Sequence, residues 1–153
     1  MKTFFLQVYL FLQTIVCYSQ VEHATITFAP LELLTTYSIP AQDFELRLGS
    51  LSNTIEFSSQ QEIDRLSRAI YSIKDTIHQE RVPDKVVYLP NGRKVRFIMY
   101  PNMDTRGKIS VNFKNGNSKT YYYDRWTIWD ATEDQLFNMT EPFMSFIRSV
   151  ANK

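Results

Sequence analysis

Apolar and polar residues alternate from Val86 to Trp129 in four runs separated by turn residues, and the rest of the chain is arranged around that stretch. Asn91-Gly92 and Asn115-Gly116 each lie between β-rich runs. Asn-Gly favours a two-residue type I′ hairpin turn, because both central residues need positive φ. Such a loop at Asn91-Gly92 pairs Tyr88 with Val95 and Val86 with Phe97. At Asn115-Gly116 it pairs Phe113 with Ser118, Val111 with Thr120 and Ile109 with Tyr122. Strand side chains point alternately to opposite faces, so each register sorts its residues into two sets. Val86, Tyr88, Val95, Phe97, Met99, Ile109, Val111, Phe113, Thr120 and Tyr122 form the predicted core face. The opposite face carries Lys94, Arg96, Tyr100, Lys108, Lys114, Lys119, Tyr121 and Tyr123, with Val87, Leu89 and Ile98 among them. It is amphipathic and basic. The polar connection from Pro101 to Gly107 is predicted to loop out between the hairpins.

The flanking segments follow other periods. Ala24 to Phe28 alternates weakly and suggests a first strand, followed by an irregular connection through Asp43. Phe44, Leu46 and Leu48, then Ile55 and Phe57, alternate as a strand pair joined by the loop Gly49 to Asn53. Ser59 with Glu62 three residues on is a capping box, and it opens a stripe of Ile63, Leu66, Ile70, Ile73 and Ile77. These spacings of three and four predict an amphipathic helix of about five turns. Val82-Pro83-Asp84 ends it. Thr132 with Gln135 predicts a second helix start, and Thr140-Glu141-Pro142 a restart with proline in the first turn. Phe143, Phe146, Ile147 and Val150 then make an apolar stripe that docks on the sheet.

The resulting fold class is α+β: an antiparallel β-meander, about six strands in all, packed on one long helix, with a C-terminal helix. The long stripe is expected to pack on the sheet face carrying Val95, Phe97, Val111 and Phe113. The element order resembles that of cystatin-like folds, in which a curved sheet grips a helix. The resemblance is one of element order alone, since the glutamine-valine-glycine pattern of inhibitory cystatins is absent, and such an analogy does not carry function.

The N-terminus changes the compartment. Lys2, an apolar run from Phe4 to Val16, and Tyr18-Ser19 before Gln20 fit a secretory signal cut after Ser19. The run falls short of the about 20 apolar residues that span a membrane. Residues 1–19 are therefore expected to be a cleaved signal and 20–153 a single secreted or periplasmic domain without a transmembrane segment. A lipoprotein acylated at Cys17 is the alternative, although Val16 is a poor residue before a lipid-accepting cysteine. Cys17 is the one cysteine in the chain, so residues 20–153 have no disulfide, thiol nucleophile or thiolate metal site. Charge is segregated. Residues 20–80 hold four basic and nine acidic residues, and residues 81–125 hold ten basic and three acidic.

Little catalytic chemistry is on offer. His23 lies near the expected new N-terminus, and His78 near the end of the predicted long helix, where a cation suits the helix dipole. No His-x-x-x-His motif, calcium loop, glycine-rich phosphate loop or glycine-flanked serine occurs, so no metal or cofactor is expected. Glu45 and Glu56 on one hairpin are the available carboxylate pair. Asn138-Met139-Thr140 matches a glycosylation acceptor. These observations predict an exported non-enzymatic binding domain that recognises a protein or an anionic polymer. Its contact surface would be the basic, aromatic outer face formed by Lys94, Arg96, Tyr100, Lys108, Lys114, Lys119, Tyr121 and Tyr123. Basic residues interleaved with aromatics also suit single-stranded nucleic acid, a partner that export disfavours. The alternative is a small carboxylate-dependent hydrolase with a cleft between helix and sheet.

Overall fold

The computed structural model describes residues 21–30, 33, 38–78, 85–97 and 103–152. Strand β1 (Val21–Phe28) alternates buried Ala24, Ile26 and Phe28 with half-buried Thr25 and Thr27, and it lies inside the sheet rather than at its margin. It pairs antiparallel on one side with β2 (Asn53–Phe57) and on the other with β5 (Gly107–Phe113). Next come β6 (Ser118–Tyr123), β7 (Thr127–Asp130) and β8 (Gln135–Asn138), giving a six-stranded antiparallel sheet in the order β2-β1-β5-β6-β7-β8. Strands β3 (Lys85–Tyr88) and β4 (Lys94–Phe97) form a separate two-stranded hairpin. The stretch from Val86 to Trp129 is therefore not one continuous meander. The partner that β5 was expected to find in β4 is β1.

Both expected hairpins form, each with a loop one residue longer than predicted. Leu89 N donates to Arg93 O and Gly92 N to Leu89 O, enclosing Pro90-Asn91-Gly92. Phe113 N donates to Asn117 O and Gly116 N to Phe113 O, enclosing Lys114-Asn115-Gly116. In each loop the glycine takes the left-handed conformation, φ +75° at Gly92 and +82° at Gly116, and the asparagine side chain accepts from the backbone N–H two residues on. This is a turn closed by a left-handed glycine, in place of the two-residue type I′ turn. The registers become Tyr88 with Lys94, Val111 with Lys119 and Ile109 with Tyr121. A shift of one residue turns a whole strand over. Tyr121 and Tyr123 thereby join the core face, while Tyr122 leaves it.

Two helices cover that face. Helix α2 (Gln60–Tyr71) starts at Ser59, the expected N-cap, whose hydroxyl accepts from Glu62 N and donates to Glu62 Oε2. Helix α3 (Glu141–Ala151) starts at Thr140 with Pro142 in its first turn, as expected. Ile63 and Leu66 of α2 and Phe143, Phe146, Ile147 and Val150 of α3 close a core with Ala24, Ile26, Ile109, Val111, Tyr121 and Ile128 of the sheet. The long helix stops at Tyr71, earlier than its stripe suggested, because β8 offers an open sheet edge. Ile77 N donates to Leu136 O, Asn138 N donates to Asp75 O, and Thr76 bridges Phe137. Ile70 and Ile73 are consequently only partly buried. Ile70→Ala should therefore cost about 1 kcal/mol in urea denaturation, below the about 2–5 kcal/mol of a fully buried site. A loss in that full range would place Ile70 inside the core.

Two further expectations are corrected. Phe44–Leu48 is a short helix, α1, and not a strand. Phe44 and Leu48 share one helical face and are buried with Ala29 and Ile39, whereas Leu46 between them is 86 % exposed. The predicted helix start at Thr132 is instead the β7–β8 turn. Asp130 Oδ1 accepts from Thr132 N and Glu133 N, Asp134 has φ 53°, and the chain returns as β8. No helix among the described residues is long and apolar enough to cross a membrane.

Candidate functional site

Of the eight residues expected to share one basic face, those whose side chains are described are dispersed. Lys114 is exposed in the β5–β6 loop. Lys108 lies on the outer face, opposite the core, where its Nζ donates to Glu45 Oε1 of α1 at 2.6 Å. That hydrogen bond raises the lysine's pKa against the opposing effect of burial. Lys119 belongs to the core-facing set, opposite Val111, at the margin of the sheet. Its ammonium reaches Glu133 Oε1 at 3.2 Å and Asp130 Oδ2 at 3.4 Å. Burial opposes its charge, but these two carboxylates outweigh it and raise the pKa.

Tyr121 and Tyr123 are buried and cannot serve an outer contact surface, which corrects their assignment. Burial pushes both phenols far above the usual tyrosine range, with Asp130 and Glu133 adding to the effect at Tyr121. Tyr100 and the Arg96 side chain lie outside the described residues. Lys94 is exposed on β4, with Tyr88 directly across the hairpin.

The outer face has a different chemistry from the one expected. One row across the sheet runs Thr54, Thr27, Lys108, Tyr122 and Trp129. The rings of Tyr122 and Trp129 stack with centroids 5.7 Å apart and 27° between planes. Trp129 Nε1 donates to Asp134 Oδ1 at 3.3 Å. Thr27 and Thr54 join hydroxyl to hydroxyl at 3.0 Å. The row is mostly polar and aromatic, with Lys108 its one cation and that cation already paired.

Positive charge and exposed apolar surface meet instead on the β3–β4 hairpin. Tyr88 is 70 % exposed, Val86 41 % and Leu89 39 %. Arg93 and Lys94 are exposed beside them, and Lys85 and Arg96 add to a segment with no acidic residue from Lys85 to Phe97. Alternation had placed Val86 and Tyr88 in the core. It separates the two faces of a ribbon but does not say whether the ribbon joins the sheet. Among the described strands β3 and β4 pair only with each other, so no other described strand occupies the two outer edges of the ribbon.

Glu45 and Glu56 do not assemble a pair. Glu45 is engaged with Lys108, and Glu56 stands on the sheet's edge strand β2, opposite Thr25. Asp124 and Asp104 meet for structural reasons. Asp124 Oδ1 accepts from Trp126 N, Thr127 N and Thr127 Oγ1, while its Oδ2 accepts from Asp104 N. Asp104 pairs with buried Arg106 and accepts from Ile39 N, tying the α1 region to the start of β5. His23 Nε2 contacts Asn112 Nδ2 at 2.9 Å, and His78 is exposed beyond the end of α2 rather than in its last turn. Among the described residues no three His, Cys, Asp or Glu side chains gather as a metal site. Asn138 is exposed at the end of β8. Comparison with protein-family models, curated proteins and solved structures finds no match to this chain.

Proposed function

We propose that the protein is an exported, non-enzymatic binding domain and that the β3–β4 hairpin is its contact element for a protein with an acidic surface. The observation that carries this reading is the coincidence, on one ribbon, of exposed Val86, Tyr88 and Leu89 with Arg93 and Lys94. An isolated two-stranded hairpin is marginally stable in water, so a partner that covers its apolar residues gains affinity and also orders it. The strand edges that no described strand occupies can offer main-chain hydrogen bonds to an added strand, and the cations select for acidic side chains. Export rests on Lys2, the apolar run and Tyr18-Ser19 at the N-terminus. Glu45 and Glu56, the pair that the hydrolase alternative would use, lie apart, with Glu45 engaged by Lys108.

Poly-L-glutamate serves as a defined acidic probe. Wild-type protein should bind it in a salt-sensitive manner, and the double variant Lys94→Glu/Arg96→Glu should weaken binding by about tenfold or more through lost attraction and new repulsion. Lys114→Glu, on the other hairpin, should leave the affinity within about twofold. An equal loss in both variants would assign binding to overall charge and remove the hairpin from the account. An anionic polysaccharide that bound the hairpin more tightly than the acidic peptide would replace the protein partner with a polymer.

A further inference from the structure

We infer that a pocket between the β6–β7 turn, the end of β8 and the first turns of α3 binds a sugar ring that bears a carboxylate. None of the hairpin's residues lines the site, which goes beyond the function proposed above. Its volume is about 490 Å³, within the range of about 300–1,000 Å³ typical of small-ligand pockets.

Trp126 defines the pocket. Its indole is 67 % exposed, yet its backbone is held from both sides. Trp126 N donates to Asp124 Oδ1 at 2.7 Å, and Trp126 O accepts from Met139 N at 2.6 Å. A large aromatic side chain is thus presented to solvent from a fixed backbone, which lowers the entropy lost when a ligand docks on it. Met144, 6 % exposed, and half-buried Met139 supply apolar lining, and Arg125, Asn138, Thr140, Glu141 and Arg148 supply polar lining, with two cations against one carboxylate.

That combination selects the ligand class. The negative π face of an indole attracts polarised C–H groups, and one flat side of a pyranose ring presents a layer of them. The planar amide of Asn138 and the carboxylate of Glu141 match pairs of ring hydroxyls as donor and acceptor. Arg148 Nη1 stands 3.8 Å from Glu141 Oε1, a long and solvent-exposed pair that holds the guanidinium only weakly. A ligand carboxylate can exchange into that position and accept two parallel hydrogen bonds from the guanidinium. A wholly apolar ligand would leave these polar side chains desolvated without partners. A small inorganic anion would use the guanidinium but leave the exposed indole uncovered.

The chain has two tryptophans, so the indole N–H of Trp126 can be followed by NMR with that of Trp129 as an internal reference. Titration with sodium glucuronate should shift the Trp126 signal saturably and leave Trp129 in place. Glucose should bind about tenfold more weakly, and Arg148→Met should weaken glucuronate by a similar factor of about ten while leaving glucose unchanged. The assignment is overturned if glucuronate produces no saturable shift at Trp126, or if sodium acetate alone reproduces the shift. Equal affinity for glucose and glucuronate, or an unchanged affinity in Arg148→Met, overturns the role of the carboxylate.

Discussion

Gly107→Ala should destabilise the protein by about 3 kcal/mol, at the upper end of what overpacking of a core costs. Gly107 pairs with Tyr123 across β5 and β6, and the Tyr123 ring lies over it. A Cβ at position 107 would overlap the Cζ, Oη and Cε1 atoms of that ring. The ring has nowhere to retreat. Tyr123 is fully buried and meets Phe143 of α3 edge-on, with centroids 5.9 Å apart. Moving it would push α3 off the sheet. Space, and not backbone freedom, is what Gly107 provides, since its φ is not among the positive values found at Gly92 and Gly116. Gly116→Ala is the contrasting variant. A Cβ there meets open space, and the left-handed φ costs only about 1–2 kcal/mol. Urea denaturation should rank Gly107→Ala well below Gly116→Ala. Combining Tyr123→Leu, which shortens the ring side chain, with Gly107→Ala should recover part of the loss, with a coupling of about 1–3 kcal/mol. Strict additivity of the two changes would show that the ring does not sit over the glycine.

The same pair of strands shows where local sequence stops being informative. Helix caps at Ser59 and Thr140 are legible because a short polar side chain serves the N–H groups two or three residues ahead of it. The strand at Ala24 to Phe28 and the stripe of Phe143, Phe146, Ile147 and Val150 are likewise local periodicities. Asn-Gly at both hairpins announced a turn correctly. However, the dipeptide fits a two-residue loop and also a three-residue loop whose last member is a left-handed glycine. The two differ by one residue in register, and that difference sends Tyr121 and Tyr123 inward and Tyr122 outward.

The pairing of β1 with β5 spans most of the chain and leaves no trace in either strand's own pattern. Phe44, Leu46 and Leu48 alternate as a strand would, yet the two that are buried, Phe44 and Leu48, are also one helical turn apart. The candidate site was the most exposed to these ambiguities. Its basic residues could be named from the sequence one by one. Their gathering on a single face depended entirely on the register and on the hairpin joining the sheet. The exposed indole of Trp126 left no periodic signal because it sits in a turn.

Alkali should unfold the protein through the same tyrosines. An unfolded tyrosine ionises near pH 10. Burial raises the folded pKa of Tyr123, and burial with the Asp130 and Glu133 carboxylates raises that of Tyr121. Below pH 10 both states carry the phenolic proton and stability is unaffected by it. Above pH 10 the unfolded chain releases the proton and the folded chain holds it, so stability falls as pH rises. Each such tyrosine contributes a slope of about 1.4 kcal/mol per pH unit. Tyr123 alone should therefore remove about 2 kcal/mol by about pH 11.5. Lys108 and Lys119 act in the same direction at higher pH, since their folded pKa values are also raised.

Tyr123→Phe isolates the effect. The Tyr123 hydroxyl is buried and makes no hydrogen bond among the described residues, so its removal deletes a desolvated polar group along with the titration. The variant should equal or exceed wild type at pH 7 by up to about 1 kcal/mol. Its stability should then fall less steeply above pH 10, leaving the slope that belongs to Tyr121. Urea midpoints measured between pH 7 and about pH 11.5 test both statements. Parallel curves for the variant and wild type would mean that the hydroxyl reaches water in the folded state, and the packing of the Tyr123 ring between Gly107 and Phe143 would have to be redrawn.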